Sequence, residues 1–343
     1  MNKSILNSAL AATLLIASSC TSTVDEGIAN TNAISFGTVL TNSRALDGIG
    51  DLNKFYVYGS VNGKTIFNDQ VVTRSDDATN LWTYTYNAGD EAPKWVAGAT
   101  HHFYAYSADN GEIHGIEGKA VYTPGGKLTF QNVYAGAPDS NFDLIYAEAE
   151  QVGLMSGNSK VALRFKHIFS QINVIFQNAT QNDAGTVYNV KINSTNFANC
   201  EVMGNFDGEK WTEPDDSTIP GNGLNGTPLY FLDTNATSTG FFGLGESVQT
   251  VAMYEIPYDY TYEPIVLRFS ITLTNANNPA DTKTKIFQAN FNPKWEMGYR
   301  YNYTVPVSLA LFESDEYIHF TVTDIDNWND GVTEGTLDIE EVF

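Results

Sequence analysis

Ile265-Val266-Leu267-Arg268-Phe269-Ser270-Ile271-Thr272-Leu273 puts five large apolar side chains on alternate positions. A spacing of two places Ile265, Leu267, Phe269, Ile271 and Leu273 on one face of an extended chain, whereas a helix needs a period of 3.6. The same pattern recurs in shorter form at Phe55-Tyr56-Val57-Tyr58 and Trp82-Thr83-Tyr84-Thr85-Tyr86. Between such runs stand turn-forming clusters, among them Ala108-Asp109-Asn110-Gly111, Thr123-Pro124-Gly125-Gly126 and Asn275-Ala276-Asn277-Asn278-Pro279. Short alternating runs separated by this chemistry predict an all-β protein built as sandwiches or barrels. One short helix is expected near Asn141 to Gln151, where Ala and Glu are frequent.

An internal echo points to two domains in tandem. Pro93-Lys94-Trp95-Val96-Ala97-Gly98 and Pro293-Lys294-Trp295-Glu296-Met297-Gly298 share four of six residues, and each opens an alternating strand. His101, Phe103 and Ala105 fall on one face of the first, and Tyr301, Tyr303 and Val305 on the equivalent face of the second. Proline and glycine shape such a turn, and tryptophan can close one end of a sheet core. The small polar stretch Ser156-Gly157-Asn158-Ser159 marks the expected boundary, giving domains 45–157 and 158–331.

The N-terminus reads as an export signal. Lys3 supplies a positive start, Ala9 to Ala17 a compact apolar stretch, and Ala17, Ser18 and Ser19 lead into Cys20. The apolar stretch is shorter than the ~20 residues that span a bilayer. Small residues directly before a cysteine resemble a lipobox, so residues 1–19 are read as the signal and Cys20 as the lipidated residue; an ordinary cleaved signal is the alternative. Removing residues 1–19 takes away Lys3 as the one charge and moves the formal charge from −22 to −23. So acidic a chain repels nucleic acid, which excludes that class of partner. With Cys20 lipidated, Cys200 has no partner and is read as a small buried apolar residue.

Val161-Ala162-Leu163-Arg164-Phe165-Lys166-His167-Ile168-Phe169-Ser170-Gln171-Ile172-Asn173-Val174 resembles the LxFxHxxSxL segment of fimbrillins, the subunits of type V pili. Ile34-Ser35-Phe36 soon after the lipobox, the Trp95–Gly98 turn followed by Phe103-Tyr104-Ala105-Tyr106, and the late Val322-Thr323-Asp324-Ile325-Asp326-Asn327-Trp328 are similar to the same family. The resemblance spans residues 20 to about 331. It implies two transthyretin-like Greek-key β-sandwich domains in tandem, a lipoprotein precursor on the outer membrane, and polymerisation into an extracellular pilus after proteolysis. The implied partners are other copies of the chain, other pilus subunits, a trypsin-like Arg-specific protease, outer-membrane lipid before cleavage, and a host or bacterial surface receptor.

The residues can be set against that implication. Between Cys20 and Arg44 there is no other Lys or Arg, so Arg44 is the first site such a protease meets. Its neighbours Asn42, Ser43 and Ala45 are small or polar, as exposed loops tend to be. In fimbrillins an Arg-directed cut here removes the first strand, and Arg44 matches that position, with Ala45 as the new N-terminus. Residues 20–44 then form a lipidated propeptide whose strand carries Ile34, Phe36 and Leu40 on its apolar face. Arg74 is a second candidate for cleavage. An emptied position in a sandwich leaves unpaired backbone that recruits another strand. The candidate donor is the tail 332–343, where Leu337, Ile339 and Phe343 repeat the spacing of Ile34, Phe36 and Leu40, with Glu341 at the intervening position. The alternative is a tail that completes its own domain.

No catalytic residue, cofactor or metal site is expected. Gly221-Asn222-Gly223-Leu224-Asn225-Gly226 fits GxGxxG as a string, but Pro220 and Pro228 deny it the strand and helix that such a loop needs. The oxygen-rich stretch Asp324, Asp326, Asn327, Asn329 and Asp330 misses the EF-hand spacing and is read as a solvated turn. The reading is a non-enzymatic pilus subunit that supports adhesion. A monomeric glycan-binding surface lipoprotein and the tip adhesin of the same pilus are the alternatives.

Overall fold

The computed structural model describes residues 32–333 except 39–51, 77–80, 87–90, 109–118, 136–141, 182–184, 215–230, 233, 235–236, 251, 263, 314–320 and 328–331. In the first half the strands are β1 Phe36–Thr38, β2 Lys54–Val61, β3 Lys64–Asp76, β4 Leu81–Thr83, β5 Thr100–Ala108, β6 Lys119–Tyr122, β7 Leu128–Tyr134 and β8 Leu144–Val152. They continue with β9 Val161–Leu163, β10 Lys166–His167, β11 Ser170–Ala179, β12 Tyr188–Ala198, β13 Cys200–Glu201, β14 Met203–Phe206, β15 Trp211–Thr212 and β16 Phe231–Leu232. The rest are β17 Phe241–Phe242, β18 Ser247–Gln249, β19 Met253–Glu255, β20 Ile265–Asn275, β21 Asn278–Phe291, β22 Tyr299–Ser308, the short helix α1 Ala310–Glu313, β23 Thr321–Asn327 and β24 Val332–Thr333.

The second half is a two-sheet sandwich. One sheet runs β18-β11-β22-β23-β24, with β19 also on β11, and the other runs β17-β12-β20-β21. The alternation that opened the sequence reading becomes β20, whose Ile265, Leu267, Phe269, Ile271 and Leu273 are all buried. They meet Ile172, Val174 and Phe176 of β11 and Tyr301, Tyr303 and Val305 of β22 in one core. Cys200 is buried in the same core.

The first half is layered differently. Its central sheet, β10-β8-β5-β2-β3-β4, is covered on both faces. Phe55 and Val57 of β2 and Phe103 and Ala105 of β5 face a core shared with β1 and β9. Tyr58 and Tyr106, on the opposite face of the same strands, face a second core with Phe130 of β7 and Phe206 of β14. That second cover is the sheet β15-β14-β7-β6, in which β14 and β15 follow the boundary expected at 157/158 and β6 and β7 precede it. Strand β9 also follows that boundary, yet Val161 and Leu163 lie in the first core.

Two sequence expectations change. The helix expected near Asn141 to Gln151 is strand β8, which lies between β5 and β10. Ala105 pairs with Ala147 and Phe103 with Ala149, so the small side chains that favour a helix are the ones that fit beside β5. The stretch Asp324 to Asn327, read as a turn, belongs to β23 and pairs with β22. The GxGxxG string at 221–226 lies outside the described residues.

The PKWxxG echo is structural as well as textual. Gly98 and Gly298 both take a left-handed backbone, with φ of 74° and 78°. Each Trp is buried, Trp95 at 4 % and Trp295 at 2 % exposure. In the first turn Trp95 N donates to Asn32 O and Ile34 N to Pro93 O; in the second, Trp295 N donates to Tyr258 O and Tyr260 N to Pro293 O. The side chains repeat the pattern. His101 Nε2 accepts from Val96 N at 3.2 Å, and Tyr301 Oη from Glu296 N at 2.8 Å. The second turn is therefore completed by an internal segment, 258–260, and the first by the N-terminal segment that leads into β1.

Candidate functional site: the slot filled by the N-terminal strand

Strand β1 is short, but the segment around it is deeply held. Ile34 and Phe36 are each 1 % exposed. The Phe36 ring lies edge-on to Phe67 at 5.2 Å, Phe103 at 5.8 Å, Tyr84 at 5.9 Å and Phe55 at 6.4 Å. Edge-on packing of this kind adds to the area term, which for two large apolar side chains is already about 3–6 kcal/mol. The floor of the slot is β9, part of the LxFxH stretch. Phe36 pairs in parallel with Val161, Gly37 with Ala162 and Thr38 with Leu163. Phe165 packs in the same core. His167 turns the other way and hydrogen-bonds Asp143 Oδ2 through Nδ1 at 2.8 Å.

Polar groups of the slot are matched to the segment as closely as the apolar ones. Val161 N donates to Ser35 O at 2.8 Å. Tyr84 Oη donates to Ile34 O at 2.6 Å, and Trp82 Nε1 donates to Thr38 Oγ1 at 3.2 Å. Burial pushes the Tyr84 hydroxyl up to about 12, so it remains a donor at any pH the cell meets. Asn32 Nδ2 donates to Trp95 O, and Asn158 Nδ2 to Asn32 Oδ1. If the segment left, Val161 N, Trp95 N, Pro93 O, the Tyr84 hydroxyl and the Trp82 indole would lose partners, and each loss costs about 1–3 kcal/mol where water cannot replace it. An emptied slot therefore selects for a replacement strand rather than for solvent.

Of the residues singled out in the sequence, the structure brings Ile34 and Phe36 into this slot. Leu40, Arg44, Ala45, Cys20, Leu337, Ile339 and Phe343 lie outside the described residues. Arg74 lies inside β3, pairing with Trp82; its amide donates to Asn53 O and its guanidinium sits over the Trp82 ring at 5.2 Å. Val332 and Thr333, the first described residues of the tail, form β24 on the edge of β23. Tyr84, Trp82 and Asn158 were not anticipated, because their roles depend on pairings 44 to 126 residues away in sequence. A cleft of about 190 Å³ beside Glu201, Trp211, Glu213 and Tyr258 is smaller than the ~300–1,000 Å³ usual for small-molecule sites. Its Trp211 is already engaged, stacked on Phe169 and donating to Ile168 O.

The attached segment should be worth as much to the uncut chain as a large core residue. Phe36→Ala is expected to destabilise the uncut protein by about 3–5 kcal/mol, since it empties a ring-lined site that cannot collapse. The same substitution should leave the protein cut after Arg44 unchanged. Denaturant unfolding of both forms checks this, and equal loss in both would mean that the segment stays in place after cutting.

The fold and the slot define an all-β sandwich protein whose first sandwich is completed by an N-terminal strand. The chain belongs to the fimbrillin-like family, whose model matches residues 43–328. Its fold is that of a fimbrial protein from Bacteroides vulgatus, with a TM-score of 0.59 at 12 % identity, covering 87 % of this chain and 99 % of that one. A candidate cell adhesion protein from Bacteroides uniformis is also similar, with a TM-score of 0.48 at 16 % identity over 80 % of this chain and 91 % of that one. Another, from Bacteroides ovatus, has a TM-score of 0.48 at 14 % identity over 89 % and 99 %. No curated protein matches the chain significantly.

Proposed function

We propose that this chain is a structural pilus subunit, exported as a lipoprotein on Cys20, cut after Arg44, and polymerised when the tail of one copy fills the slot emptied in the next. Membership of the fimbrillin-like family supports a fimbrial, adhesion-type protein at the cell surface that assembles with other pilus subunits. The observation that carries the finer reading is the slot itself: a segment at one end of the chain fills a core that later strands complete, and the equivalent turn of the second half is closed from within. The family match begins at residue 43 and stops at 328, leaving out the two segments that this reading makes exchangeable. Arg44 is favoured over Arg74 because a protease needs an unpaired stretch of chain, and Arg74 is bonded in a sheet. The same family membership supports a structural, non-enzymatic role.

Sequencing the N-terminus of protein shed from cells tests the reading. The expected result is Ala45, and a lipid-blocked Cys20 as the sole terminus of assembled material would overturn it. The anchor has its own test. Cys20→Ala is expected to abolish incorporation of labelled palmitate, since the thioether would be the attachment point of the lipid. Labelling that persists in that variant would remove the basis for outer-membrane anchoring.

A further inference from the structure

The slot carries direction as well as shape, and this inference rests on the strand-donation reading. We propose that the incoming tail lies in the slot in the same direction as β1, with Leu337 in place of Ile34, Ile339 in place of Phe36, and Glu341 in place of Thr38. The apolar spacing of the tail is symmetric and fits the slot either way. Glu341 breaks the symmetry. In the reversed direction it takes the place of Phe36, inside the ring of Phe55, Phe67, Tyr84 and Phe103. No partner for a carboxylate stands among those four rings save the Tyr84 hydroxyl, which is aimed at the strand's own backbone. In the same direction Glu341 takes the one position where the resident strand is itself polar. Thr38 is half-buried, and its Oγ1 accepts from Trp82 Nε1. The Arg74 guanidinium lies over that same indole. A glutamate reaches farther than threonine, so its carboxylate would accept from the indole N–H and feel the nearby guanidinium. The residue that looks like a flaw in the donor becomes the group that fixes its register.

Two further observations favour this direction. On the outward face, Asp338 would replace Ser35 and Glu340 would replace Gly37. A side chain at Gly37 comes within 3.8 Å of Lys160 Cβ and Cδ, and Ser35 lies one step before the Phe36–Val161 pair, opposite Lys160. Glu340 takes the place of Gly37 in either direction, but Asp338 stands opposite this exposed lysine only in the same direction and moves to position 39 in the reverse. The direction also sets where the donor's body sits. A strand running like β1 comes in at the Asn32 end, beside the loop that Asn158 fastens. That end carries Met155 at 87 %, Leu154 at 53 %, Val152 at 52 % and Val96 at 43 % exposure. A second copy docked there would cover this apolar cap, whereas a reversed donor would leave it bare.

Cysteine pairs test the direction in full-length protein after cutting. The cut removes Cys20, and Cys200 is buried. Lys160→Cys with Asp338→Cys should cross-link neighbouring copies through a short bis-maleimide, and Arg164→Cys with Asp338→Cys should not. The opposite outcome overturns the proposal. If neither pair links while the wild-type ladder of oligomers forms and tail deletion abolishes it, the register is wrong but strand donation stands. If wild type forms no ladder, both fail. Glu341→Val should speed dissociation of the joint about tenfold or more, the effect of losing a charge-assisted hydrogen bond. Glu341→Gln, which can still accept from the indole, should lose less. Dissociation of Glu341→Val no faster than wild type would overturn the assigned role of Glu341.

Discussion

Deletion of Leu337–Phe343 is expected to abolish the ladder of SDS-resistant oligomers formed by the cut protein, while leaving the monomer folded. The tail would supply three apolar side chains, worth about 1.5–3 kcal/mol each when buried, and a run of main-chain hydrogen bonds worth about 0.5–1.5 kcal/mol each. Without them the joint loses most of what offsets the cost of association. The monomer should tolerate the loss because the deletion begins beyond β24, the last described strand, and removes none of the described core residues. Ile339→Asp is a milder form of the same test. It places a carboxylate where Phe36 now meets four aromatic rings, and costs several kcal/mol. The pairing of β24 with β23 makes the measurement necessary, since a tail that continued along that edge would belong to its own sandwich. In that case truncation would lower the unfolding midpoint of the monomer, and the ladder would fail for a different reason. An unchanged ladder from the truncated chain would end the strand-donation reading outright.

The sequence and the structure agree most where local pattern decides. The alternation at Ile265–Leu273 needs only a sheet with one buried face, and β20 has one. The PKWxxG echo was legible because proline, tryptophan and glycine each act through their own backbone or bulk, and both turns form with matching bonds. Disagreement begins where a distant segment sets the environment. Nothing in the alternation of Tyr56, Tyr58, Tyr104 and Tyr106 says what covers their face of the central sheet. That face is covered by β6, β7, β14 and β15, two of them drawn from beyond the expected boundary. Strand β8 was misread because Ala147 and Ala149 favour a helix in isolation, and only their pairing with β5 makes them strand residues. The slot was half legible. Ile34 and Phe36 announced an apolar strand, and the LxFxH stretch that forms its floor was quoted for its family likeness. Nothing local linked either to Trp82 or Tyr84, whose polar groups decide how specific the slot can be.

Arg44→Ala is expected to hold the protein as a monomer in the presence of a trypsin-like protease, against full polymerisation of wild type. The argument is one of effective concentration. While the chain between Phe36 and Phe55 is intact, β1 competes for the slot as an attached ligand, at millimolar effective concentration for a short linker. A donor tail from solution at micromolar concentration would need roughly a thousandfold advantage in intrinsic affinity. The tail has no such advantage: its Leu, Ile and Phe match the apolar content of Ile34, Phe36 and Leu40 side chain for side chain. On the proposed reading, scission would remove the tether, and the freed segment would be lost by dilution while the tail stays joined to a growing polymer. The cut would thus change the competition without changing the contacts. Arg74 offers no bypass, since its amide is bonded to Asn53 and its strand is paired with β4. Terminal sequencing of each band separates the outcomes. Polymers of wild-type length with the N-terminal segment still attached would show that strand exchange proceeds without scission, and polymers beginning at Ser75 would move the cut to Arg74.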